Sequence, residues 1–121
     1  MVQSQSRYQS QSQSLAIDRT FSALGDPTRR SVVERLGRSS ATVTELARPA
    51  GISLTGMRKH LRVLEEAGLV RSEKVGRSRR CELTPARLDE ARAWIDDHRQ
   101  MIEQRFDRIE ALLDETKGDP R

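Results

Sequence analysis

The stretch Ile52-Ser-Leu-Thr-Gly-Met-Arg-Lys-His-Leu-Arg-Val-Leu-Glu-Glu-Ala-Gly-Leu-Val70 limits what this chain can become more than any other. Ser53 is a good helix N-cap, because its hydroxyl can accept a hydrogen bond from a free backbone N–H of the first turn. Met57, Leu61 and Leu64 follow at i, i+4 and i+7 and make one apolar stripe. The other face carries Thr55, Arg58, Lys59 and Arg62, with His60 beside them. Gly68 ends the helix, and Leu69-Val70 begins an extended run. Such a helix must press its apolar side onto a small core and leave its basic side in water. Led in by a turn at Ala50-Gly51-Ile52, it has the form needed to enter the major groove of DNA.

The rest of the chain offers a lean core. Of 121 residues, 35% are hydrophobic and 3% aromatic, against 33% charged. That suffices for one modest domain, and oligomerisation is the usual way to complete so small a core. A net charge of +4 and a pI near 10.0 conceal an asymmetry. Residues 53–80 carry eight Lys or Arg against three Glu, and residues 85–116 carry five Arg against nine acids. A basic middle fits a polyanionic partner. Charge alone fits an ordinary solvated surface equally well. The single cysteine, Cys81, allows no intrachain disulfide and points to a reducing, cytoplasmic compartment. No apolar run approaches the ~18 residues of a membrane span, and the N-terminus lacks the apolar segment of a signal peptide.

In chain order, residues 1–14 are a Gln/Ser-rich run that buries nothing and reads as a disordered tail. A first helix from Leu15 to Leu24 places Ile17, Phe21 and Leu24 on one face. Asp26 can cap the next helix, and Pro27 suits its first position. That second helix, to about Leu36, buries Val32, Val33 and Leu36. Thr44 reads as the cap of a short third helix with Leu46 and Ala47 inward, closed by Pro49 and Gly51. Glu45 favours its positive end. Helices three and four, joined by a tight turn, form a helix-turn-helix. Two antiparallel strands, roughly 70–75 and 79–84, follow, interrupted by Gly76-Arg77-Ser78. Arg77, Arg79 and Arg80 cluster at that turn, so the hairpin is a basic-tipped wing.

Thr84-Pro85 leads into a helix reaching about residue 115. Leu88, Ile95, Ile102 and Ile109 recur every seven residues. Ala91, His98, Arg105 and Leu112 make a second seam, and Trp94, Met101, Phe106 and Leu113 widen it. A helix of about 45 Å outreaches a domain of this size and wants a partner. His98 and Arg105 break the seam, so the expectation is packing against the first helix and a symmetry mate, not a regular coiled coil. An intramolecular helix covering the core is the alternative. The expected interface residues are Ile17, Phe21, Leu88, Trp94, Ile95, His98, Ile102, Phe106, Ile109 and Leu112. The fold expected is therefore mainly α with a small β-hairpin: a winged helix-turn-helix of five helices, dimeric through its first and last. A DNA-binding unit over 15–84 and a dimerisation helix over 85–115 precede a flexible tail at 116–121.

Four segments together resemble the ArsR-type winged helix-turn-helix repressors: Phe21-Ser-Ala-Leu-Gly-Asp-Pro-Thr-Arg-Arg30, Val43-Thr-Glu-Leu-Ala47, Lys59-His-Leu-Arg-Val-Leu-Glu-Glu-Ala-Gly-Leu-Val70 and Gly76-Arg77. The match covers about residues 15–115 in order and spacing. Leu46-Ala-Arg-Pro-Ala-Gly-Ile-Ser53 and the tail from Trp94 to Leu113 are most similar to a metal-independent branch. The resemblance implies a homodimer through the first and last helices and repression by operator binding, usually with autoregulation. One metal site of the family uses cysteines in the third helix, but Val43-Thr-Glu-Leu-Ala-Arg48 has no Cys or His. Another pairs Asp-x-His in the last helix with a His and an acid further on. Asp96-Asp97-His98 supplies its first half, whereas Ile109, Glu110 and Leu112 stand where the second half is required. A tetrahedral zinc site needs about four good ligands, so no metal and no cofactor is expected. His98 then reads as a hydrogen-bonded interface residue, and Cys81 as a small buried residue, with redox sensing the alternative.

The expected partner is double-stranded DNA carrying a palindromic operator. Ser53, Thr55, Gly56, Arg58, Lys59, His60 and Arg62 of the recognition helix, with Arg77, Arg79 and Arg80 of the wing, are the expected contacts. Arg58 is the best candidate for bidentate reading of a guanine. His60 could donate to a phosphate or pack against the wing. Arg29 and Arg30 could touch the DNA backbone or pair with Glu34 or a neighbouring acid. Gly56 would let the backbone approach closely. Two other readings compete: a winged helix serving as a protein-interaction module, and a metal-responsive repressor. An enzyme is not expected, since two His, one Cys and no phosphate-cradling loop make no catalytic constellation. The sequence identifies no small-molecule effector.

Overall fold

The computed structural model describes residues 14–118, which divide into one unit ending at Ala91 and another beginning at Arg92. The first unit opens with helix α1, already helical at residue 14 and running to 24. Helix α2 spans Pro27–Leu36, strand β1 Ala41–Thr42, helix α3 Val43–Ala50 and helix α4 Leu54–Glu66. Strands β2 (Val70–Val75) and β3 (Ser78–Leu83) follow, and helix α5 spans Ala86–Gly118. Among the described residues the fold is thus five helices and one antiparallel sheet of order β1-β3-β2. Residues 1–13 of the expected Gln/Ser tail lie outside the described residues. Residue 14 is helical, and so are 116–118 of the expected C-terminal tail; 119–121 lie outside the description.

The helix starts follow from their caps. The Asp26 carboxylate accepts from the Arg29 backbone N–H at 3.1 Å, with Pro27 in the first helical position. Helix α3 is capped by Thr42, not Thr44: the Thr42 hydroxyl accepts from the Glu45 N–H at 3.2 Å. Thr42 also ends β1, whose two residues pair Ala41 with Cys81 and Thr42 with Arg80. A two-residue strand leaves no period to read, so the sequence shows only the hairpin. Gly51 ends α3 at φ 66°, in the left-handed region that glycine occupies without strain, and turns the chain into α4.

The core of this unit gathers one face from every element. Val32 and Leu36 of α2, Val43, Leu46 and Ala47 of α3, and Met57, Leu61 and Leu64 of α4 are buried with Leu69, Val70 and Cys81. Leu88, in the first turn of α5, packs on it and Ala91 is buried. Helix α1 turns its small residues inward. Thr20 and Ala23 are buried, while Phe21 is 37% exposed. Thr20 reaches the interior because its hydroxyl donates to the Ala16 carbonyl at 2.9 Å. The apolar face expected from Ile17, Phe21 and Leu24 therefore lies on the flank of the inward face, and Val33 is only partly buried.

In the second unit, every residue of α5 from Arg92 to Thr116 is exposed. Ion pairs at helical spacing, Arg92–Asp96 and Arg99–Glu103, lie on its polar side. No helix of the described residues is long and apolar enough to cross a membrane.

Candidate nucleic-acid interface

Helix α4 is oriented by what it buries. With Met57, Leu61 and Leu64 held in the core, the helical period turns Thr55, Arg58, Lys59 and Arg62 to solvent. Its first turn is fixed by Ser53, whose hydroxyl accepts from the Gly56 N–H at 3.0 Å. A side chain at position 56 would crowd that oxygen, since a Cβ there would stand 3.2 Å from it.

The wing stands beside α4. Val75 and Ser78 are register partners across the two-residue turn Gly76-Arg77, with Gly76 at φ 61°. Side chains alternate across the sheet, so Ser72 and Lys74 share a face with Arg79 and Cys81, while Glu73 and Arg80 share the other. Arg58, Arg62, Lys74, Arg77 and Arg79 all line one groove of about 610 Å³ between α4 and the wing. Leu61 and Cys81 form part of its lining, and Glu65 is its lone carboxylate. Arg58, Lys59, Arg62, Lys74 and Arg77 make no ion pair or side-chain hydrogen bond with the described residues. Their charges are available to a polyanion.

Several expected site residues are placed differently. Arg80 leaves the wing cluster, because the period of two turns it to the opposite sheet face, where Nη1 donates to Ser40 Oγ at 2.9 Å. His60 meets the first turn of α2 and its cap. It is half-buried with Nδ1 at 3.4 Å from Arg29 Nη1 and 3.9 Å from an Asp26 carboxylate oxygen. The hydrogen bond from the Arg29 backbone N–H, with the Arg29 and His60 side chains nearby, holds the Asp26 carboxyl below its ordinary pKa. Arg29 and Arg30 do not pair with Glu34. Arg29 Nε donates to the Ala23 carbonyl at 2.7 Å, and Arg30 Nη1 to the Leu24 carbonyl at 2.8 Å. They satisfy the open carbonyls at the end of α1, where its dipole favours cations.

Lys74 was not among the residues expected in the site. Its signal was the strand alternation, which aligns it with Arg79 once the register is known. Also unforeseen is a hydrogen-bond chain across the groove: Arg79 Nε donates to Ser72 Oγ at 2.9 Å, and that hydroxyl donates to the Glu65 carboxylate of α4. Cys81 lies at the base of this arrangement, fully buried. Burial, with Glu65 nearby, pushes its thiol above the ordinary pKa and so favours the protonated form.

On α5, His98 Nδ1 lies 2.8 Å from the Trp94 carbonyl, and its ring stacks on the Trp94 indole with centroids 3.9 Å apart. Ile95, Ile102, Phe106, Ile109 and Leu112 are all exposed, Phe106 to 62%. The described residues contain no group of three or more His, Cys, Asp or Glu side chains placed to hold a metal ion.

A helix-turn-helix with its second helix bared beside a cationic wing defines a DNA-binding domain of the winged helix-turn-helix class. A helix-turn-helix domain model matches residues 24–73. The HTH-type transcriptional regulator Rv2034 of Mycobacterium tuberculosis (strain ATCC 25618 / H37Rv) is 40% identical over 79 residues, 65% of this chain and 74% of that protein. The crystal structure of the ArsR family transcriptional regulator RHA00566 is similar with a TM-score of 0.67 at 39% identity, covering 76% of this chain and 92% of that one. An ArsR-like transcriptional regulator from Rhodococcus sp. RHA1 gives a TM-score of 0.74 at 29% identity, over 84% and 93% of the two chains. The chain belongs to the ArsR family and is a DNA-binding transcriptional regulator, not an enzyme.

Proposed function

We propose that this regulator is a homodimeric repressor that occupies a palindromic operator, its own promoter included, without a metal effector. The observation that carries the DNA-binding mode is the groove between α4 and the wing, with Arg58, Arg62, Lys74 and Arg77 uncommitted. Recognition helices of a two-fold dimer would enter successive major grooves about 34 Å apart. Arg58 reads a guanine through its O6 and N7 acceptors, a pattern that a planar fork of donors matches. Thr55, Lys59 and Arg62 flank it, and Arg77 and Arg79 neutralise phosphates. Ser53 and His60 act through the helix they hold in place, and Arg80 through its bond to Ser40.

Dimerisation is supported by the apolar side of α5. Ile95, Ile102, Phe106, Ile109 and Leu112 would each forfeit part of the roughly 1.5–3 kcal/mol that burial of such a side chain supplies if they stayed in water. Ile17, Phe21, Leu88, Trp94 and His98 complete the proposed interface with the second copy. Metal independence is supported by the ligand chemistry of the chain itself. Val43–Arg48 holds no sulfur or imidazole, and His98 spends one ring nitrogen on the Trp94 carbonyl. Repression is steric, because a bound dimer near a promoter excludes polymerase. Footprinting tests the mode: two protected half-sites on one face of the duplex, centred about 10 base pairs apart, are expected. A single unsplit half-site would refute the two-fold arrangement.

A further inference from the structure

The groove holds one acid among its cations, and that acid is engaged. Glu65 belongs to the last turn of α4, Ser72 to β2 and Arg79 to β3. Ser72 stands between the other two, accepting from Arg79 Nε and donating to Glu65. Ser72 and Cys81 are direct register partners, so Ser72 sits beside a buried residue and not at the free tip of the hairpin. Both Glu65 and Ser72 are half-buried, which shields their bond from competing water. We propose that Glu65 and Ser72 are positioning residues: they lock Arg79, and the wing with it, to the recognition helix, so that helix and wing meet DNA as one rigid reader.

The inference rests on the operator-binding reading and separates two things that a cation contributes. The charge of Arg79 acts on any duplex, because counterion release does not depend on sequence. Its direction matters only where the protein is docked in one register, since phosphate contacts fix that register. Ser72→Ala removes the link and keeps every charge. It should therefore weaken the specific complex and spare the non-specific one. Ser72→Thr keeps the hydroxyl and suits a strand, so it should behave as wild type.

The test measures binding of the full chain to two probes. One is the tightest duplex that the wild-type protein selects from a random-sequence library; the other is an unselected duplex of equal length. Ser72→Ala removes both charge-assisted hydrogen bonds, to Arg79 and to Glu65, and the cost of re-ordering the freed Arg79 side chain on DNA predicts that the selected duplex binds about five- to tenfold more weakly. Its affinity for the unselected duplex stays within about twofold, because the count of neutralised phosphates is unchanged. Ser72→Thr restores the selected-duplex affinity. Equal loss on both probes, or no loss on either, with melting temperatures matching wild type, would overturn the positioning role. Selection of no preferred duplex by the wild-type protein would instead overturn operator binding itself, and the inference with it.

Discussion

Arg77 gives the cleanest test of the groove, because its side chain holds no other described residue in place. It is exposed at the wing turn and bonds to none of the described residues. Arg77→Ala should therefore leave stability within about 0.5 kcal/mol of wild type. Its effect on DNA is set by electrostatics. Each neutralised phosphate contributes about 0.9 to the slope of log affinity against log salt, so a two-fold dimer losing two contacts loses about 1.8. When salt rises from about 50 to about 200 mM, the variant should then lose about tenfold less affinity than wild type does. Fluorescence anisotropy of a labelled random-sequence duplex across that range measures both slopes. An unchanged slope would show that the wing turn does not reach the phosphates, and would remove the groove as the binding surface.

Three further outcomes are expected. Arg58→Ala should cost about 1–3 kcal/mol of discrimination at one base pair; equal losses on selected and random duplexes would end its role as a base reader. Ile102→Glu combined with Phe106→Glu places charges on the apolar side of α5 and should give monomers by sedimentation equilibrium at micromolar concentration; a persisting dimer would place the interface elsewhere. Cys81 in the native protein should resist iodoacetamide at neutral pH and react once the chain is unfolded, since burial raises its thiol pKa. Rapid native alkylation would reopen the redox reading.

The parts of the fold that were legible had a period and a cap. Met57, Leu61 and Leu64 announce α4 by spacing, Ser53 announces its start, and both place Arg58 and Arg62 on the outer face without further information. The hairpin was legible for the same reason, though its second strand begins at Ser78, one residue earlier than the pattern indicates. What escaped depends on contacts remote in sequence. Thr42 caps α3 because β1 pairs with β3, a pairing too short to leave a pattern. Arg80 looks like part of a basic tip until the register assigns it to the other sheet face. Arg29, Arg30 and His60 look like a cationic surface until the end of α1 is brought to them, when open carbonyls and the Asp26 carboxylate claim them. Charge counts mark residues 53–80 as basic without choosing among them. The register and the packing of α1 decide which of those charges remain free for DNA.

The most direct test of the account is a mobility shift of the purified protein on the DNA upstream of its own gene, in excess random competitor, with a chelator and with zinc as separate additions. A competitor-resistant shift that neither addition changes is expected. A shift abolished by zinc would contradict metal independence and make Asp96, His98 and Glu110 the first residues to replace, and the absence of any specific shift would contradict autorepression.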